Sequence, residues 1–168
     1  LNFKEGTAQD FHFYDYPTYE DIRYAGIRIV YLGYYIQDWY GHKNAKFAIS
    51  KGLKTRTDTP ENIGDLWGIS CLDDELRIVS QYLKFLKFGF GHVTDQVCEA
   101  IHQDMMTREE AIELVKKYDG ACSDKYIEIF CDYLEINLAE FWTVVDKFAN
   151  KDLFEKINGR WEPKFEVK

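Results

Sequence analysis

Between Lys84 and Asp95 the chain reads Lys-Phe-Leu-Lys-Phe-Gly-Phe-Gly-His-Val-Thr-Asp, and these residue types at this spacing suit anion binding. A helical apolar pattern stops at Phe88. Gly89 and Gly91 flank one aromatic, and Thr94-Asp95 reads as the opening of a new helix. Glycine lets a backbone turn through positive φ and lets a ligand come close to the main chain. A helix start presents unpaired N–H groups and the positive end of the dipole. Lys84, Lys87 and His92 add charged or protonatable side chains to the same turn. The physics is that of a phosphate or pyrophosphate cradle. The same spacing also fits a helix–loop–helix corner that needs two glycines for geometry alone, and spacing by itself favours that plainer reading.

Other candidates carry less. Asp95, Cys98 and His102 fall at i, i+3 and i+7 on one helical face, and all three types can bind metals. Three ligands from one helix seldom converge on one ion, so a capping aspartate, a thiol and a histidine without a metal is the expectation. No Gly-x-Ser-x-Gly elbow is present, and no cysteine sits in a nucleophile signature. Neither a Gly-x-Gly-x-x-Gly nor a Walker-type loop occurs. No residue can be assigned a catalytic role from the sequence. Tyr31, Tyr34, Tyr35, Trp39 and Tyr40 form an aromatic group of the kind that stacks on a sugar or a base, or that completes a core or subunit interface.

The chain has 168 residues, 46% of them hydrophobic and 17% aromatic, which suits one folded domain and excludes disorder. A net charge of -8 argues against a broad nucleic-acid surface, which needs a basic stripe. No apolar run approaches the roughly 20 residues of a membrane span, and no signal-peptide pattern opens the chain. Cys71, Cys98, Cys122 and Cys131 show no CxxC pairing, and reduced, mostly buried thiols in the cytoplasm are expected. The chain begins at Leu1, which reads as a portion of a longer protein.

The elements that must position the turn follow from periodicity. Residues 18–25 read as a short helix with Thr18 as N-cap and Asp21 at the third position. Gly26 ends it, and Ile27 to Leu32 reads as a buried, β-branched strand. That order is an αβ unit, where ligands gather beyond the strand's carboxyl end. Residues 37–43 read as a loop entering a helix at about 43–51, capped by Gly52. Residues 53–69 read as a long surface loop. Ser70 and Asp73 then offer a capping box for a helix with Leu72, Leu76, Val79, Leu83 and Leu86 in one stripe. Thr107 with Glu110, Ser123, and Asn137 with Glu140 open three more helices. Their inward residues are expected to include Ile127, Phe130 and Leu134, then Phe141, Val144 or Val145, and Phe148. Gly159 and Pro163 suggest an irregular tail over 157–168. The expected architecture is an α/β portion that is predominantly helical. It would divide as 1–52 (the end of an α/β domain), 53–69 (loop), 70–156 (helical array) and 157–168 (tail).

In order, these pieces resemble the C-terminal part of the N-acetyl sugar amidotransferases, PP-loop (ATP pyrophosphatase) enzymes with a Rossmann-like core. They serve lipopolysaccharide O-antigen and sialic-acid-like sugar biosynthesis. The resemblance runs through Tyr16-Pro17 and through Ala25-Gly26-Ile27-Arg28 into Leu32-Gly33-Tyr34-Tyr35-Ile36 and Lys43-Asn44. It continues in Lys87-Phe88-Gly89, Thr94-Asp95 and Thr107-Arg108-Glu109-Glu110-Ala111. It ends near Phe141-Trp142 and Asp146-Lys147-Phe148.

The resemblance implies conversion of a sugar acetamido group to an acetamidino group. The cofactors would be ATP and Mg²⁺, the substrate a nucleotide sugar, and the ammonia source a separate glutaminase subunit. Lys87, Gly89, Gly91, His92, Thr94 and Asp95 would then surround an anionic group, with Tyr34 and Tyr35 near the sugar or the nucleotide. The family's Ser-Gly-Gly-x-Asp-Ser pyrophosphate loop is missing, so this chain alone is expected to be inactive and to bind ATP incompletely. It also has Gln37-Asp38-Trp39 where the family has proline-tryptophan-aspartate, and His92 where the family prefers arginine. Ile101-His102-Gln103-Asp104 replaces an Ile-Arg-x-Gly element. A histidine makes any phosphate contact pH-dependent. The alternative is a non-catalytic helical module for homodimerisation or glutaminase docking, in which the turn is structural.

Overall fold

A computed structural model describes Asp10, residues 14–36 and residues 39–168. The chain divides into two units, Leu1–Trp39 and Tyr40–Lys168, and helix predominates in it as expected. The family departure at Gln37-Asp38 lies outside the described residues.

In the first unit, helix α1 (Tyr19–Tyr24) is held by the capping box read from the sequence. The Asp21 N–H donates to Thr18 Oγ1 at 3.2 Å, and the Asp21 carboxylate accepts the Thr18 N–H at 3.1 Å. The strand expected over Ile27–Leu32 does not form. Residues 27–31 carry no regular structure, and Leu32–Tyr34 is a turn of 3₁₀ helix. A strand exists only where a neighbour completes its ladder, and the one sheet among the described residues is a hairpin near the other end of the chain. Composition made this segment look buried, yet Ile29 and Tyr31 are exposed. The αβ unit is therefore not formed by the described residues.

The second unit is built by helices stacked through their apolar stripes. Helix α2 (Gly41–Ser50) precedes a short α3 (Pro60–Ile63), so the expected 53–69 loop contains a turn of helix. Helix α4 (Leu76–Phe88) starts later than the sequence suggested. Asp74, not Ser70, serves its first turn, accepting the Leu76 N–H at 2.9 Å. Ser70 is engaged elsewhere, as described below. Then come α5 (His92–His102), α6 (Arg108–Tyr118), α7 (Asp124–Leu134) and α8 (Leu138–Phe148). Thr107 with Glu110 and Asn137 with Glu140 form both expected capping boxes.

Helix α4 packs on α7 and α8, and α5 on α6. The main core joins Val79 and Leu86 to Tyr126, Ile127, Phe141 and Phe154. A second cluster joins Val93 and Val97 to Ala111. Gly120, in the α6–α7 connection, has φ +74°, and a Cβ there would overlap the Phe85 ring, so only glycine lets that loop lie against α4.

Two expectations are corrected at the chain's end. Residues 154–163 form an antiparallel hairpin, β1 (Phe154–Ile157) with β2 (Arg160–Pro163), where an irregular tail was expected. Asn158 and Gly159 both have positive φ, 51° and 84°, the two-residue turn whose twist matches that of its strands. Leu134 and Phe148, expected inward, are exposed at 47% and 63%, whereas of the pair Val144 or Val145 it is Val145 that is buried. They line an apolar groove of about 610 Å³ along α4, α7 and α8.

The cysteines are free. Cys131 is buried and Cys122 half-buried, whereas Cys71 and Cys98 are exposed, so burial is less general than expected. Burial is the main reason the Cys122 thiol is pushed up to about 12, with Asp124 adding to it.

Candidate functional site

The glycine turn is a corner between α4 and α5. Gly89 (φ +82°) ends α4, donating its N–H to the Phe85 carbonyl at 2.8 Å. Helix α5 begins at His92, two residues earlier than Thr94, with Gly91 as its N-cap. Thr94 and Asp95 thus lie within the first turn of α5.

An anion sits at that helix start, and it belongs to the chain. Asp119, directly after α6, accepts the Gly91 N–H at 2.8 Å and the Thr94 hydroxyl at 2.7 Å through Oδ2. Its Oδ1 accepts the Thr94 N–H at 3.3 Å. A Cβ on Gly91 would lie 2.6 Å from Asp119 Oδ1, so the missing side chain is what admits the carboxylate. The partner of these donors is thus a side chain of the chain itself, and the turn is the helix–loop–helix corner that spacing alone favoured. A phosphate group at this turn has to displace Asp119.

The cations are also engaged. Lys84 Nζ lies 2.5 Å from Asp95 Oδ2 and 4.5 Å from the centre of the Phe90 ring. Lys87 is exposed and rests over Phe88 at 5.3 Å. His92 is half-buried, with Nε2 2.8 Å from Ser70 Oγ and 4.0 Å from Asp65 Oδ2. Burial holds the imidazole below its ordinary 6.5, against the opposing pull of Asp65 and Asp95.

Asp65, which sequence reasoning missed, organises this side of the corner. Its Oδ1 accepts the Trp67 and Gly68 N–H groups at 2.9 and 3.0 Å and the Gln96 side-chain amide at 2.7 Å. Gln96 Oε1 in turn accepts the Leu66 N–H at 2.9 Å. The signal was the run Gly-Asp-Leu-Trp-Gly, since aspartate bonding the backbone two residues on is a turn former.

Of the other expected site residues, Tyr34 and Tyr35 belong to the first unit, where both are exposed. Cys98 and His102 are exposed on α5. Among the described residues no group of three or more His, Cys, Asp or Glu side chains could hold a metal ion. With the Gly91 and Thr94 N–H groups bonded to Asp119, the turn already holds a carboxylate.

Behind the corner lies a cavity of about 700 Å³. Gly89, Asp119 and Gly120 contribute to its wall, as do Tyr82, Trp142 and Trp161. Burial pushes the Tyr82 phenol up to about 12, so it remains a donor across the physiological range. The hairpin closes on α8 through Asp146, which accepts the Trp161 indole N–H at 3.0 Å and the Lys156 ammonium at 2.6 Å.

The glycine corner of this helical domain backs onto a cavity of about 700 Å³. The model of the family described as LPS biosynthesis protein WbpG-like, C-terminal domain, matches residues 12–166. The chain belongs to that family. A search of curated proteins gives no match. Among the described residues no helix is long and apolar enough to cross a membrane.

Proposed function

We propose that the chain is the C-terminal part of an ATP-dependent N-acetyl sugar amidotransferase of surface-polysaccharide biosynthesis, acting in the cytoplasm. Its product would be an acetamidino sugar, made with ammonia from a glutaminase subunit. ATP and Mg²⁺ would be cofactors of the whole enzyme. The family, one of LPS biosynthesis proteins, supports this reading, as do the ordered LGYY and KFGxG elements. The observation that carries it is local: Gly89 in the corner and Asp119, which caps the start of α5, both wall the 700 Å³ cavity.

In this reading Lys87, Gly89, Gly91, His92, Thr94 and Asp95 flank the anionic part of a nucleotide sugar once Asp119 gives way. Tyr34 and Tyr35, both exposed in the first unit, are in this reading stacking surfaces of that unit by themselves. The test is calorimetric titration of pyrophosphate and of a UDP-N-acetyl sugar into wild type and Lys87→Ala. Weaker binding by the variant supports the assignment, and equal heats remove it. For the chemistry, a protein containing this segment is incubated with ATP, Mg²⁺, ammonia and the UDP-N-acetyl sugar. Mass spectrometry should then find oxygen replaced by NH in the sugar.

A second reading, a docking module for a glutaminase subunit or a second copy, is favoured by the apolar groove between Phe88, Leu134 and Phe148. Exposed apolar surface of this kind marks contact sites. Phe148→Glu should abolish glutaminase co-elution or self-association in sizing experiments if this reading holds.

A further inference from the structure

The face that α4, α7 and α8 leave open carries a ridge and a groove side by side. Val144 and Phe148, one turn apart on α8, form the ridge, exposed at 48% and 63%. Beside it runs the apolar groove of about 610 Å³, with Leu86 and Phe141 buried at its base. Rows of side chains four residues apart seat in the grooves of a neighbouring helix. An unrelated partner needs either a ridge or a groove to dock on. A face bearing both fits a second copy of itself, which is the self-complementarity that a two-fold contact demands.

The charges follow the same pattern. Lys87, in the last turn of α4, lies at the end of the groove where α8 finishes. There the Asn150 N–H donates to the Leu86 carbonyl at 2.9 Å. Glu135, between the lining residues Leu134 and Ile136, lies at the opposite end, where α7 leads into α8. The 11 residues of α8 set the two ends about 16 Å apart at a rise of 1.5 Å per residue. Both side chains are exposed. Among the described residues neither has an ion-pair partner, and Lys87 only rests over Phe88. Lys84, by contrast, is spent on Asp95. A two-fold axis across α8 runs the two grooves antiparallel, so the cationic end of each copy meets the acidic end of the other.

We propose that this face pairs two copies of the chain about a two-fold axis. The Val144–Phe148 ridge of each copy seats in the groove of the other, and Lys87 of each faces Glu135 of the other. Burial of the apolar rows supplies the affinity, and the two ion pairs fix the register. The inference rests on the second functional reading and chooses between its two partners, committing to a second copy.

Sedimentation equilibrium on the chain tests it, with wild type expected in a monomer–dimer equilibrium. Lys87→Glu sets carboxylates face to face at both ends of the contact, and Glu135→Lys sets ammonium groups there. Each reversal is felt twice in a two-fold dimer, so each should weaken dimerisation about tenfold. Both positions are exposed, so circular dichroism should find the fold of each variant intact. The double variant Lys87→Glu/Glu135→Lys restores opposite charges and should dimerise as wild type does, which an apolar contact in another register would not produce. Wild type that stays monomeric at every concentration overturns the proposal. So do single variants that dimerise as tightly as wild type, or a double variant no tighter than the singles. If monomeric wild type still co-elutes with a purified glutaminase subunit and Phe148→Glu does not, the second copy falls and the docking reading stands.

Discussion

Asp119 Oδ2 accepts the Gly91 amide proton at 2.8 Å, so a side chain from the end of α6 caps the beginning of α5. The two residues are 28 positions apart, and the bond ties two helices that are also packed through Val97 and Ala111.

Removing that carboxylate should be costly and informative. Asp119→Ala leaves the Gly91 and Thr94 donors without their partner, which costs about 1–3 kcal/mol. Urea denaturation should show the loss. Phosphate or sulfate should restore part of the stability of the variant and do less for wild type, because the vacated donors then accept a solution anion. Equal stabilisation of both proteins would sink the idea that Asp119 occupies an anion site.

Gly120→Ala should destabilise by about 2–4 kcal/mol, combining a positive φ with overlap onto Phe85. Thermal unfolding measures it. Phe85→Leu in the Gly120→Ala background should recover part of the loss, since the obstruction is the ring itself.

The pH dependence of stability should carry a histidine signature. His92 titrates below its ordinary 6.5 in the folded chain because it is half-buried. The unfolded chain therefore binds more protons across the interval just below 6.5, and stability falls as pH falls through it. Asp65, Asp95, Arg77 and Lys84 all act on this imidazole, so the net slope is modest. His42 is lowered as well, chiefly by burial, and contributes in the same window. His92→Gln should flatten part of the slope in denaturation midpoints between about pH 5 and 7, and adding His42→Gln should flatten more of it.

Asp146→Ala should loosen the hairpin, because Lys156 and Trp161 both lose their acceptor. The pair is partly exposed, so the loss should be about 1 kcal/mol. Faster amide exchange in β1 and β2 and a shifted Trp161 emission would report it. Above the ordinary carboxylate range this contribution is fully present. Its loss on acidification should come at lower pH than for a free aspartate, since the Lys156 ammonium holds the Asp146 carboxyl down.

What the sequence disclosed follows the range of the interactions. The capping boxes at Thr18, Thr107 and Asn137 are three-residue events and were readable. The glycine stop at Gly89 was readable for the same reason. The Asn158-Gly159 turn is equally local, but Gly159 and Pro163 fit an irregular tail as well as a hairpin, and only the pairing of β1 with β2 separates the two. Ser70 was misassigned because its partner, His92, is 22 residues away. The Ile27–Leu32 segment has strand composition, but pairing depends on a neighbour that composition cannot supply. The corner itself is legible from Gly89 and Gly91 as a helix–loop–helix turn. Its anion was hidden because Asp119 is distant in sequence and looks like any residue that follows a helix.

The unequal shielding of the thiols gives the protein an internal stopwatch. Cys71 and Cys98 can react with a thiol reagent as soon as it is mixed, whereas Cys131 lies in the main core and must wait for that core to open. Cys122 lines the cavity, and its high thiol pKa slows it further. Once Cys71 and Cys98 are replaced by serine, the labelling rate at Cys122 times the opening of the cavity wall and that at Cys131 times the opening of the core. A ligand seated in the cavity would slow the first clock more than the second.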